Sequence, residues 1–247
     1  MSSNPENSLK SEPQMQCKYS LVIPAYNEEE NLKPLVDEIL EKLKGNDYEI
    51  IIVDDNSKDK TPQISDELSK NPKISCIHRT EGRNGMGYAL LEGSQKARGK
   101  YIVWVMADKS DKIEVISDMI AKLEGGYDMV VGSRYMKGGS KGELQPDKAL
   151  YSSTYSQLAK IVFGLQVDDI TNAFRAFRKK ILDDVKIESG DFAISPEFAI
   201  KTHLKGYKVT QVPATYFKRQ AGQAKFKIMQ MGIRYLSLLR LKIQYKR

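Results

Sequence analysis

Two strongly apolar runs end in pairs of aspartates. Residues 48–57, YEIIIVDDNS, close on Asp54 and Asp55, and residues 103–111, VWVMADKSD, close on Asp108 and Asp111. Carboxylates at the mouth of a core strand either cap the loop and helix that follow or offer oxygen donors to a ligand. Asp108 and Asp111 therefore either cap the helix beginning near Ile113 or hold a divalent cation. Mg²⁺ or Mn²⁺ takes one or two carboxylates together with phosphates and water, and such an ion would neutralise a diphosphate leaving group. Asp54 and Asp55 either form a capped turn or accept hydrogen bonds from a nucleotide base or ribose. Met106 stands where a third acid would extend the set.

Two glycine-bearing stretches add to this chemistry. In GRNGMGYALLEG (82–93), Gly85 and Gly87 lack the third glycine of a dinucleotide fingerprint, because Leu90 occupies its place. What remains is a tight turn whose helix amides are open to a phosphate. In RQAGQAK (219–225), Arg219 and Lys225 flank Gly222. That is either a solvated basic loop or a phosphate clamp on a mobile loop. His78 and His203 lack metal-ligand spacing and are read as structural. Cys17 and Cys76 form no CxxC pair and are read as reduced, buried thiols.

These residues must be positioned by a repeating scaffold. Strands are expected at 19–26, 48–57, 74–79, 101–108 and 127–134. They alternate with helices at 27–45, 61–70, 87–97 and 113–125. Asn27 reads as the cap of the first helix, with acids in its first turn and Gly45 at its close; Pro62 sits in the first turn of the second. Near-continuous apolar strands between helices indicate a parallel sheet covered on both faces. Ligands in such sheets bind beyond the carboxyl ends of the strands, where all four aspartates fall. Later segments loosen: a Gly-rich loop after Arg134, a helix over YSSTYSQLAKIVFG, another within NAFRAFRKKILDDV, and a strand within 206–219.

The chain has 247 residues, 40% of them hydrophobic and 29% charged, as in ordinary globular proteins. Its +7 net charge is concentrated at one end. Lys218 to Arg247 holds nine Lys or Arg and no acid; without those nine of 39, 30 basic residues face 32 acidic ones. A body of net −2 disfavours nucleic acid as a partner and points to an anionic surface met by the C-terminal segment. No apolar run reaches the roughly 18 residues that span a bilayer, and the polar N-terminus lacks a signal-peptide core. The expected organisation is a loose tail at 1–17, one domain at 18–225 and a basic amphipathic helix at 226–247.

VIPAYNEEENL, EIIIVDDNSKDKT, NGMGYAL, MADKSD, GSRY, DITNAFRAFR and VPATYFKRQAGQAKF, in this order, resemble the family 2 glycosyltransferases, in particular their dolichol-phosphate mannosyltransferase-like branch. The likeness runs from about Tyr19 to Arg240. It implies a GT-A fold, a Rossmann-like, mostly parallel sheet with helices on both faces, binding a nucleotide-diphosphate sugar and Mg²⁺ or Mn²⁺. Pro24, Ala25, Tyr26, Glu28 and Asp55 match positions that hold the nucleotide, and Gly85 joins them through its turn. Asp108 matches the second acid of the family's Asp-x-Asp motif. Met106 replaces the first, and the MADxSD form implies that Asp111 supplies the second carboxylate. Arg175 joins the two aspartates as a catalytic cation, while Arg134, Arg219 and Lys225 match cations for an acceptor phosphate. Asn172, Ala173 and Ala224 depart from the family's usual residues, which implies an acceptor or sugar unlike the mannosyl prototype.

The resemblance implies inverting transfer of a hexose, from GDP-mannose or UDP-glucose, to a polyprenyl (dolichyl) phosphate. A phosphate oxygen is anionic near pH 7 and needs little help from a base. A saccharide hydroxyl would need one, with Asp111 the first candidate; a non-catalytic nucleotide-sugar-binding scaffold is the other alternative. Ile228, Met231, Tyr235, Leu238 and Leu239 form one helical stripe, which either lies in an anionic lipid interface or packs on the body. Peripheral attachment at the cytoplasmic face of a membrane, or a separate membrane-protein partner, is the corresponding expectation.

Overall fold

Period-two burial organises the sheet. In a computed structural model, which describes residues 17–218 and 228–245 (side chains of 228–230 excepted), successive strand residues feed two separate cores. Val22, Ile51, Val53, Ile102 and Trp104 enter one; Leu21, Ile23, Ile50, Ile52 and Val103 enter the other. The elements in order are β1 (Tyr19–Ala25), α1 (Leu32–Lys42), β2 (Tyr48–Asp54), α2 (Thr61–Leu68), β3 (Ile74–His78), α3 (Met86–Lys96), β4 (Tyr101–Trp104), α4 (Val115–Glu124), β5 (Met129–Ser133), α5 (Pro146–Phe163), β6 (Arg175–Arg178), α6 (Ile181–Asp184), α7 (Ile194–Leu204), β7 (Val209–Pro213), α8 (Ile228–Ser237) and α9 (Leu241–Gln244). Helices α1, α2 and α4 cover one face, and α3, α5, α7 and α8 the other.

The seven strands lie in the order β3-β2-β1-β4-β6-β5-β7. All pairings are parallel except those of β6, which runs antiparallel to both β4 and β5. Register brings Ala25, Asp54 and His78 level, with Trp104 opposite Val22, so the loops after β1, β2 and β4 open at one edge. Those loops are stitched together. Asn27 Oδ1 accepts from the Lys58 amide, Glu29 Oε2 from the Lys60 amide, and Thr61 Oγ1 from the Glu28 amide. Asn27, Asn56 and Lys109, one in each loop, have φ of 55°, 63° and 59°. Left-handed backbone at non-glycine residues is uncommon, and here it marks the rim of the sheet.

One local expectation is corrected, and two elements that the sequence did not signal appear. Asn27 does not cap α1; the helix begins at Leu32 with Asn31 at its N-cap, and its first turn holds no acid. The acids at 28–30 instead belong to the loop, where hydrogen bonds to the β2 loop outweigh helix propensity. Within NAFRAFRKKILDDV the expected helix is the four-residue α6, and strand β6 precedes it. Phe177 faces one core while Phe174 and Ala176 face the other, so this central strand, buried on both faces, leaves no alternating polar signal. Helix α7 was not read at all. It is buried nearly all round, and its charged pair, Glu197 and Lys201, bonds internally at 2.5 Å, so it lacks an amphipathic signal.

The C-terminal stripe packs on the body. Met231, Tyr235, Leu238 and Leu241 are buried, and the Tyr155 hydroxyl donates to the Tyr235 carbonyl at 2.8 Å. The helix is broken by a 3-10 turn at Leu238–Arg240. His203 is structural, with Nε2 3.1 Å from the Phe163 carbonyl. Cys17 and Cys76 are half-buried rather than buried.

Candidate active site

A cavity of about 380 Å³ opens at the carboxyl edge of the sheet, a size suited to a nucleotide. Pro24 and Ala25 line it from the end of β1, Tyr26 and Glu28 from the loop after it, Asp55 from the β2 loop, Gly85 from the turn before α3, and Asp108 from the β4 loop. Every residue expected to hold the donor thus lines one cavity. Asp55 is already engaged: its Oδ1 accepts from Arg79 and its Oδ2 accepts the Gly85 amide at 2.6 Å. Each carboxylate oxygen keeps a second lone pair for a ligand. Arg79, also bound to Glu92 at 2.9 Å, was not expected here; it lies beyond β3, and no local pattern ties it to an acid 24 residues earlier.

A smaller cavity of about 190 Å³ shares Met86, Met106, Asp108 and Phe192 with the first. Its further lining includes Arg134, Lys148, Thr171, Asn172 and Tyr216. Asp108 and Met106 therefore stand at the junction. The Met106 side chain occupies the wall where an acid was in question. Arg134 is not a free cation. Its Nε and NH2 reach the two oxygens of buried Asp169 at 2.6 and 3.0 Å, and NH2 also reaches Thr171 Oγ1 at 2.9 Å. Burial would raise the Asp169 carboxyl, but the Arg134 charge and hydrogen bonds outweigh it and hold the group below the usual carboxylate range. Lys148, which the sequence did not single out, makes no ion pair among the described residues and lines the same cavity. Arg219 and Lys225 lie outside the described residues.

Asp111 lines neither cavity and is 8% exposed, and its Oδ2 has no hydrogen-bond partner among the described residues. Burial, and next the nearby charge of Asp108, push its carboxyl up to about 8. An orphaned buried carboxylate oxygen beside a second carboxylate at the cavity wall suits a hard divalent cation. The residues present therefore fit Mg²⁺ or Mn²⁺.

This burial has a measurable consequence. The folded state retains the Asp111 proton up to about pH 8, whereas the unfolded chain releases it near the ordinary 3.8. The stabilising contribution is complete below about pH 4 and is lost as pH climbs through 8. In metal-free buffer, Asp111→Asn, which never ionises, is expected to gain about 2–3 kcal/mol over the parent chain at pH 9 and little at pH 4. That figure is roughly half the linkage ceiling of about 1.4 kcal/mol per pKa unit, because a buried site relaxes. Thermal melts from pH 4 to 9 in chelator check it; parallel curves for the two proteins would contradict the burial of an unpaired Asp111.

Two of the helix amides expected to meet a phosphate are taken. The Gly190 carbonyl accepts from the Gly87 amide at 2.9 Å and the Tyr88 amide at 3.4 Å. A Cβ on Gly85 would lie 2.3 Å from that carbonyl oxygen, and one on Gly87 2.5 Å from the Ser189 carbonyl. The glycines admit the 189–190 backbone, and Gly85 also turns at a φ of 150°. Gly85 keeps its place in the donor cavity, but the role of its turn is corrected.

Arg175 is corrected as well. It is fully buried and lines neither cavity. Its NH1 donates to the Ser195 carbonyl at 2.7 Å, and its NH2 to the carbonyls of Ile170, at 3.2 Å, and Asn172. The guanidinium lies over the Trp104 ring at 5.6 Å. Burial lowers its pKa to about 9, still charged at neutral pH. It is a positioning residue that ties the 170–172 loop to the start of α7, both of which wall the smaller cavity.

Residues 20–186 match the family model described as Glycosyl transferase family 2. The chain is 35% identical over 212 residues to the dolichol-phosphate mannosyltransferase of Pyrococcus furiosus, which covers 85% of this chain and 59% of that protein. It is 29% identical over 232 residues to the polyprenol monophosphomannose synthase of Mycolicibacterium smegmatis, covering 87% and 86%. Its fold matches that of Mycobacterium tuberculosis glucosyl-3-phosphoglycerate synthase, crystallised with Mn²⁺ and UDP-glucose. The TM-score is 0.71 at 16% identity, over 94% of this chain and 80% of that one. S. aureus TarS 1–349, crystallised with UDP-GlcNAc, gives a TM-score of 0.65 at 18% identity, over 92% and 66%.

Proposed function

The chain belongs to glycosyltransferase family 2 and has its GT-A fold, and from that premise we propose that it transfers a hexose from a nucleotide-diphosphate sugar to the phosphate of a polyprenyl lipid. The observation that carries this reading is the meeting of two cavities at Asp108, one lined by all the expected donor residues and the other by Lys148. The names of the Pyrococcus furiosus and Mycolicibacterium smegmatis relatives support the acceptor class. GDP-mannose and UDP-glucose are the donors to try first.

In this mechanism Pro24, Tyr26 and Asp55 bind the nucleoside. Asp108 and Asp111 would hold Mg²⁺ or Mn²⁺, which would supply positive charge against the diphosphate. Lys148 orients the acceptor phosphate, whose anionic oxygen attacks the anomeric carbon in line and inverts it, as the bond from that carbon to the diphosphate oxygen breaks and the nucleoside diphosphate departs with the electron pair. Met106 and Phe192 close the junction to water. The proton problem is absent, because the nucleophile is already ionised; catalysis rests on positioning and charge stabilisation. Asp111 lines neither cavity, which disfavours it as a base toward a saccharide hydroxyl.

Among the described residues no helix is long and apolar enough to cross a membrane. Contact with an anionic lipid surface at the cytoplasmic face, or with a membrane-protein partner, is proposed through the basic C-terminal segment. With its buried stripe committed to α5, the outward face presents Ile233, Leu236 and Ile243 beside Arg240 and Lys242. The test is a donor panel with Mn²⁺, with and without a short polyprenyl phosphate. Glycosylated lipid phosphate, formed only when the lipid is added, is expected. Transfer to a water-soluble saccharide alone would overturn the acceptor, and silence with every donor would leave a nucleotide-sugar-binding scaffold.

A further inference from the structure

Away from both cavities, the edge of the sheet carries a cluster that sugar transfer does not use. Cys76 and His78 are two residues apart on β3, so their side chains leave the same face of the edge strand. Asp66, on α2, joins them. His78 Nε2 is 3.0 Å from Asp66 Oδ1 and 3.5 Å from Cys76 Sγ. The three donor atoms, one per residue, all lie within 4.8 Å of one another.

The other imidazole nitrogen is also committed. His78 Nδ1 is 3.1 Å from Oδ2 of Asp54, a carboxylate only 3% exposed. Asp54 is itself held, since its Oδ1 accepts the Ser57 amide at 3.1 Å. A histidine that ligates a metal through one nitrogen commonly gives the other N–H to a carboxylate, which sets both tautomer and ring orientation. That arrangement is present here, with Nε2 aimed at the thiol and at Asp66.

We propose that Asp66, Cys76 and His78 form a zinc site that clips α2 to the edge strand β3. The donor set selects the metal. Thiolate and imidazole suit Zn²⁺, whereas Mg²⁺ and Mn²⁺ prefer oxygen ligands throughout. The edge cluster is therefore chemically distinct from Asp108 and Asp111. Three protein ligands leave the fourth tetrahedral position to water. On binding, the Cys76 thiol gives its proton to solvent and the sulfur becomes a thiolate ligand. The spacing gave no warning, because the third ligand comes from a helix ten residues before the first of the strand pair.

The test uses the full chain, stripped with chelator and then titrated with Zn²⁺ or Co²⁺ in excess Mg²⁺, which occupies the all-oxygen site. One equivalent of zinc should be retained. Cobalt should give a near-ultraviolet thiolate charge-transfer band together with the intense visible bands of four-coordination. Zinc should also raise the melting temperature of the parent chain. Cys76→Ser, nearly isosteric, should abolish the charge-transfer band and the zinc-dependent rise while keeping Mn²⁺-dependent transfer at the parental rate. Cys17→Ser should leave the band in place. The proposal is overturned if no thiolate band forms, if the band survives Cys76→Ser, or if His78→Gln and Cys76→Ser retain zinc as the parent does. In those cases the cluster is only a hydrogen-bonded edge. The band, the retained zinc and the melting temperature, which decide the proposal, do not depend on whether the chain transfers sugar.

Discussion

Asp108→Ala should lower sugar transfer by about 10³-fold, close to 4 kcal/mol of transition-state stabilisation. Asp108 is the acid shared by both cavities, so its loss removes a proposed metal carboxylate at the point where, in the proposed function, donor and acceptor meet. The fold should tolerate the change. The hydrogen bond recorded for its side chain is a 3.2 Å bond from the Ser110 amide, worth about 1 kcal/mol. A large loss of rate with a nearly unchanged melting temperature is therefore expected. Asp108 is also the second cause, after burial, of the high Asp111 pKa, so Asp108→Ala should flatten the alkaline fall in stability as well. Initial rates across a Mn²⁺ titration, beside a thermal melt, provide the check. A variant that keeps its rate within a few-fold would place the metal and diphosphate elsewhere.

Arg175→Ala should destabilise the chain by about 3–5 kcal/mol, lowering the melting temperature by roughly 10 °C. The change strips the carbonyls of Ser195, Ile170 and Asn172 of a charged donor and opens a void beside Trp104. Arg175→Lys should recover little, because a lysine ammonium is a point donor and cannot span carbonyls from two segments. Chemical denaturation of all three proteins measures this. A catalytic arginine would instead show lost rate at constant stability, and that outcome would restore the role the sequence suggested.

Asp108 and Arg175 show which placements can be read along the chain and which cannot. Asp108 follows an apolar strand directly, and in a parallel sheet the carboxyl end of a strand is where ligands bind; strand and acid lie within a few residues of each other. The residues proposed to hold the donor were named through the family resemblance. Pro24 lies at the end of β1, Tyr26 and Glu28 follow it, Asp55 follows β2, and the level register of those strands brings them to one cavity. Arg175 carries the same charge in either role, and only its neighbours decide between them. Those neighbours include Ser195, 20 residues away, on a helix that left no periodic trace.

The sequence by itself determined the layered α/β architecture and the edge of the sheet at which the cavity opens, because burial period and strand-end loops are local properties. It also determined the family, through several short motifs in a fixed order. The tertiary structure alone decided which polar groups remain available. Asp169 claims Arg134 across 35 residues, the Gly190 carbonyl claims two α3 amides, and the antiparallel insertion of β6 seals Arg175 inside. Long-range pairing allots each donor and acceptor to a partner, and a side chain acts on a ligand only with the capacity that its neighbours leave.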